Sequence, residues 1–162
     1  MVTINGFLQD ESATAALAQC LGALLPQQQT QLHLDGPLGA GKTSLVRSLL
    51  RTWGHKGPVK SPTYTLVETY NMPGFIVLHV DLYRLNDPEE MLALGLEETI
   101  MQAGVICIEW PCIGLPQKDI ACSLDFSEDN LSRIFTLQAH SLWGEKVLHK
   151  LASTLPDSLQ WP

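Results

Sequence analysis

Apolar residues recur along this chain in alternating helical and extended rhythms. Ala13, Ala16, Leu17, Leu21 and Leu24 fall at helical spacing, behind a cap supplied by Asp10 or Ser12. The run Gln31-Leu32-His33-Leu34 reads as a short strand leading straight into a glycine-rich turn. A helix over residues 43–53 then offers Leu45, Val46, Leu49 and Leu50 to a core. Gly54, Gly57, Pro58 and Pro62 mark residues 54–65 as loop. Residues 65–70 and 75–82 read as strands joined around Asn71-Met72-Pro73-Gly74. Asp87-Pro88-Glu89-Glu90 has the form of a helix start, with an Asp cap, Pro in the first turn and Glu three residues after the cap. Val105-Ile106-Cys107-Ile108 is continuously apolar, as in a strand buried on both faces. Residues 120–126 and 133–138 form a closing hairpin across Ser127-Glu128-Asp129-Asn130. The last helix aligns Trp143, Val147, Leu151 and Leu155 on one stripe. Strands alternating with helices predict a single α/β domain over residues 1–162.

Composition changes this picture little. The chain is 45% apolar and 17% charged, an ordinary globular balance. Its formal net charge of −7 argues against a surface that grips nucleic acid unaided, which needs a basic face. The opening residues carry no basic-then-apolar leader pattern, and runs such as residues 104–108 are too short to cross a bilayer, so a cytoplasmic protein is expected. Cys20, Cys107, Cys112 and Cys122 show no metal-ligand spacing and are expected to serve as small buried hydrophobes.

The chemistry sits in the glycine-rich turn. Gly36-Pro37-Leu38-Gly39-Ala40-Gly41-Lys42-Thr43 matches G-x-x-x-x-G-K-[ST] in full, between a strand and a helix as that motif requires. Glycines let backbone amides of Gly39, Ala40, Gly41 and the residues through Ser44 curl around phosphate oxygens. Lys42 brings a charge to the β- and γ-phosphates, and the Thr43 hydroxyl can ligate Mg²⁺. Such a site needs carboxylates at the ends of neighbouring strands. Two apolar runs end in one: residues 75–80 in Asp81, and residues 105–108 in Glu109. His79 shares a strand face with Asp81 and is read as a supporting core histidine. The loop with Ser61-Pro62-Thr63 occupies the position that answers to a γ-phosphate in P-loop proteins, although a rigid turn with no nucleotide role fits the same residues. Arg84, Arg133 and Lys60 are available cations that spacing alone does not single out. With neither D-x-x-G after the second apolar strand nor N-K-x-D, ATP is preferred over GTP.

These residues in order resemble the TsaE family, also known as YjeE. The carrying segments are the P-loop of residues 36–43, Lys60-Ser61-Pro62-Thr63-Tyr64-Thr65-Leu66-Val67-Glu68, His79-Val80-Asp81-Leu82-Tyr83-Arg84-Leu85, Asp87-Pro88-Glu89-Glu90, and Glu109-Trp110-Pro111 followed by Leu115-Pro116. Pro37 departs from the residue usual at a variable P-loop position, and the stretch after Pro111 differs freely. The resemblance implies a three-layer α/β/α sandwich around a mostly parallel sheet with a C-terminal antiparallel hairpin. It implies an ATPase that works with TsaD and TsaB to make threonylcarbamoyladenosine beside the anticodon of tRNAs reading codons that begin with A, meeting tRNA through the complex. It further implies that Thr43 and Glu109 ligate Mg²⁺, that Lys42 and Asp81 serve catalysis, and that Ser61 and Thr63 belong to the nucleotide-responsive loop. Trp110 would stand beside the site. Glu11, Thr14 and Arg133 would meet the nucleoside end of ATP.

Two other functions share the P-loop. A small-molecule kinase would also need an acceptor pocket and usually an arginine-bearing lid, and the chain offers few arginines and no lid-like insertion. A nucleotide-gated binding module would use ATP to order the Ser61-Pro62-Thr63 loop, hydrolysis being incidental.

Overall fold

The computed structural model describes residues 2–25, 27–85, 89–90, 95, 97–111, 118–128 and 130–160. The helix start at Asp87-Pro88, Leu115-Pro116 and Cys112 lie outside the described residues. Seven described strands form one sheet: β1 (Thr3–Leu8), β2 (Thr30–Asp35), β3 (Val67–Met72), β4 (Phe75–Asp81), β5 (Val105–Glu109), β6 (Ile120–Phe126) and β7 (Arg133–Ala139). Their order across the sheet is β1-β7-β6-β2-β5-β4-β3. The inner four, β6, β2, β5 and β4, run parallel. Antiparallel neighbours close both sides, β3 on β4 and the pair β7 and β1 beside β6. Helices among the described residues include α1 (Glu11–Gly22), α2 (Lys42–Thr52), α3 (Glu97–Gln102) and α4 (Leu142–Thr154).

Side-chain alternation along the inner strands assigns the layers. On one face Leu32, Leu34, Val77, Cys107, Phe135 and Leu137 pack under Leu17 and Leu21 of α1, Leu45 and Leu49 of α2, and Leu148 and Leu151 of α4. On the other face Leu78, Val80, Ile106 and Ile108 form a smaller cluster with Leu82 and Ala103, against which Ile100 of α3 packs. The result is the expected three-layer sandwich, with parallel inner strands and a C-terminal hairpin.

Asp10, not Ser12, caps α1: its Oδ1 accepts from the Ala13 amide at 2.9 Å. The hairpins at residues 67–81 and 120–139 match the expected turns. β1 has no counterpart in the pattern of apolar residues. It pairs antiparallel with β7 over six residues, and Gly6 lies so close to the C-terminal segment that a Cβ there would meet the Leu159 carbonyl at 2.1 Å. Trp143 also differs from expectation, being exposed while Leu148 takes the buried place. Cys107 and Cys122 are buried as expected, and Cys20 is half-buried. No helix among the described residues is long and apolar enough to cross a membrane.

Candidate nucleotide site

The parallel strands β2, β5 and β4 end together, and their register places Leu34, Glu109 and Asp81 abreast. The glycine-rich turn leaves the end of β2 and enters α2 beside them. Gly36 has φ +133°, and a Cβ there would lie 2.0 Å from the Leu124 carbonyl of β6. That combination admits only glycine, which seats the turn flush against the sheet. Lys42 and Thr43 consequently begin α2 directly above Glu109.

One cleft of about 240 Å³ is lined by Gly39, Gly41, Lys42, Thr43, Ser44, Ser61, Thr63, Asp81 and Glu109, with Leu38, Tyr83 and Trp110. Inside it the polar groups hold one another. The Thr43 hydroxyl donates to Glu109 Oε1 at 2.8 Å, and His79 Nε2 reaches the same oxygen at 2.7 Å. Asp81 Oδ2 accepts from Thr63 at 2.8 Å and Ser61 at 3.3 Å, while Oδ1 accepts from the Tyr83 amide at 2.9 Å. Lys42 is buried, and its Nζ donates to the carbonyls of Gly36 at 2.7 Å and Pro37 at 3.0 Å. Its ammonium also lies 3.9 Å from the centroid of the Trp110 ring. Burial lowers the Lys42 pKa, and the nearby Glu109, Asp35 and Asp81 pull the other way.

Trp110 adopts a left-handed backbone, φ 56°, uncommon for so bulky a residue. Its amide still donates to the Leu34 carbonyl at 3.0 Å, so the ladder is held while the indole turns over the cleft, 5.0 Å from the Tyr83 ring.

A second cleft, of about 280 Å³, shares Gly39, Gly41 and Ser44 with the first and adds Ala40, Glu11, Thr14, Leu131 and Arg133. The Arg133 guanidinium stacks 4.2 Å from the Phe126 ring centroid, and its Nη2 is 3.4 Å from the Gly39 carbonyl. Each candidate site residue thus lines one of two clefts that meet at the glycine turn. Arg84 lies instead over the Tyr64 ring, 4.3 Å from its centroid.

The family model described as threonylcarbamoyl adenosine biosynthesis protein TsaE matches residues 8–135 of this chain. The chain belongs to the TsaE family. A relative from Haemophilus influenzae named tRNA threonylcarbamoyladenosine biosynthesis protein TsaE is 37% identical over 155 residues, 91% of this chain and 97% of the relative. One of the same name from Nostoc is 42% identical over 108 residues, 64% of this chain and 65% of the relative. The crystal structure of Bacillus subtilis YdiB superposes with a TM-score of 0.79 at 25% identity, covering 94% of this chain and 96% of that one. As a TsaE-family member the chain is a P-loop ATPase-type protein, and the matched span runs from before Glu11 to past Arg133, enclosing both clefts.

Within this TsaE fold, sequence reasoning missed three features of the cleft. Leu38 and Tyr83 line it, and His79 is bonded to Glu109 and not merely satisfied in the core. A signal for His79 existed in its shared face with Asp81. The bond to Glu109 additionally needed the β4–β5 register, which no local pattern supplies.

Proposed function

We propose that this chain binds and hydrolyses ATP in support of threonylcarbamoyladenosine formation on tRNA, acting with TsaD and TsaB. The observation that carries the reading is the meeting of Lys42, Thr43, Asp81 and Glu109 in one cleft at the ends of three parallel strands. In this reading Lys42 leaves the carbonyls of Gly36 and Pro37 for the β- and γ-phosphates. The amides of residues 39–44 wrap the phosphate chain, and the second cleft takes the nucleoside against Glu11, Thr14 and Arg133. Thr43 and Glu109 hold Mg²⁺. A hydroxyl and carboxylates form the sparse hard-oxygen set that suits this ion, which keeps waters and binds through one or two carboxylates plus substrate phosphates. Bound Mg²⁺ neutralises charge on the phosphate oxygens. Asp81 orients the attacking water or supports the metal, and Ser61 and Thr63 exchange Asp81 for the γ-phosphate when the loop responds to nucleotide.

Among the described residues no arginine lines the cleft that would hold the γ-phosphate. Hydrolysis is therefore slow in the isolated chain and faster in the complex with TsaD and TsaB. The test is multi-turnover threonylcarbamoylation of tRNA by TsaD and TsaB with this chain, with its Lys42→Ala form, or with neither. Wild type should restore turnover, and Lys42→Ala should lower it by about 100-fold or more. MgATP hydrolysis by wild type without any gain in modification would end the tRNA reading and leave the P-loop reading standing. Equal ATP turnover with and without the partners would refute the dependence on the complex.

A further inference from the structure

We propose that His79 is a positioning residue that fixes the Glu109 carboxylate in the orientation from which it takes up Mg²⁺. The inference rests on the reading of Glu109 as a metal ligand. His79 lies in β4, fully buried, opposite Cys107 in the register with β5 and on the same face as Asp81. Its Nε2 is 2.7 Å from Glu109 Oε1. A carboxylate only accepts hydrogen bonds, so Nε2 carries the hydrogen. Nδ1 is buried with no partner among the described residues. Among the described residues the ring's polar contact is therefore the bond from Nε2 to Glu109.

The bond does more than satisfy the ring. Glu109 Oε1 receives two donors from different elements, His79 from β4 and Thr43 from the first turn of α2. Two donors on one oxygen stop the carboxylate from rotating and direct its remaining acceptor capacity to the cleft. The Thr43 hydroxyl would also have a cation to ligate, whereas the His79 Nε2–H has the Glu109 carboxylate alone to hold. A donor beneath a ligand carboxylate orients it and lowers the reorganisation needed to bind the ion.

The experiment measures binding, not turnover. Calorimetric titration of a non-hydrolysable ATP analogue, with Mg²⁺ and with EDTA, is run on wild type, His79→Leu, His79→Gln and Glu109→Gln. His79→Leu should keep wild-type affinity in EDTA and lose about 10-fold to 100-fold in affinity for the Mg²⁺ complex. His79→Gln, whose amide can donate to Oε1, should recover part of the loss. In the Glu109→Gln background, His79→Leu should add nothing further. Should His79→Leu fold poorly, His79→Gln decides the point: loss of affinity equal in EDTA and Mg²⁺ would mark a merely structural histidine and overturn the proposal. Full Mg²⁺ enhancement in His79→Leu would overturn it alone. Absence of any Mg²⁺ effect in wild type would overturn the metal assignment and this inference together.

Discussion

His33 stands in the middle of β2, buried, with its Nε2 3.2 Å from Gln31 Oε1. Burial pulls its pKa from 6.5 down to about 4, Lys118 and His140 add to the fall, and Asp119 opposes it. The unfolded chain therefore takes up this proton near pH 6.5, whereas the folded chain refuses it until about pH 4. Between those values the unfolded state binds more protons, so stability falls as pH falls and is unaffected by this group above 6.5. Between about pH 7 and about pH 5 the loss should be on the order of 2 kcal/mol. Because carboxylates titrate in the same range, the measurement is a difference: urea unfolding of wild type and His33→Gln at both pH values. The gap between the two proteins should shift toward the variant at the lower pH, and a gap that does not change with pH would refute the assignment. Residues such as His33 show what sequence leaves unread at this scale. The P-loop was legible because its chemistry needs eight consecutive residues, and Asp81 and Glu109 were legible as the acids that end apolar runs. The behaviour of His33 and the bond from His79 to Glu109 were not, because burial and strand register decide them.

At the scale of elements the periodic segments were readable and the edges were not. α2, β4, β5 and the closing hairpin carry strong local patterns and lie within a residue or two of expectation. The stripe Trp143, Val147, Leu151 and Leu155 holds at its last three residues, which are buried, and fails at Trp143 for a geometric reason. Steps of four advance about 40° each around a helix, so a residue two steps before Leu151 has turned about 80° away from it. Ser141, which accepts from the Gly144 amide at 3.0 Å, sets where α4 starts, and Trp143 faces solvent with Lys146 over its ring. β1 went unread because Asn5 and Gly6 are poor strand formers and its only described ladder partner, β7, lies more than a hundred residues away. Gly6 is the residue that strand depends on. A Cβ there would meet the Leu159 carbonyl at 2.1 Å and the Phe135 ring at 2.4 Å. Gly6→Ala must displace either β1 or the C-terminal turn, costing about 1–3 kcal/mol. For a chain of this size, that lowers the thermal midpoint by about 2–4 °C per kcal/mol. Asn5→Ala, at the exposed neighbouring position, is the control and should move the midpoint little. Equal midpoints for the two variants would show that the close approach at Gly6 carries no packing constraint.

For the whole molecule, alternation of strands and helices was enough to give the α/β class, while the order β1-β7-β6-β2-β5-β4-β3 was beyond any local signal. Net charge is the property that sequence reports best at this scale, and it bears on how the chain meets tRNA. Lys and Arg number 10 against 17 Asp and Glu, a net charge of −7. Several of the cations are already engaged: Lys42 in the cleft, Arg51 on the His55 carbonyl, Arg84 on Tyr64 and Arg133 on Phe126. Binding to a phosphate backbone draws most of its strength from cations that displace condensed counterions, and it weakens steeply with salt. An acidic chain with Arg51, Arg84 and Arg133 held against its own carbonyls and rings gains little from that source and is repelled at long range. The isolated chain should therefore retain tRNA no more tightly than about 10⁻⁴ M at physiological salt, the weak end of non-specific binding. Gel-shift titration at about 50 mM and about 200 mM salt checks this, with the TsaD–TsaB complex as the comparison. Micromolar retention by the isolated chain at low salt, falling steeply at high salt, would mean that a basic surface exists despite the net charge, and that this subunit grips tRNA itself.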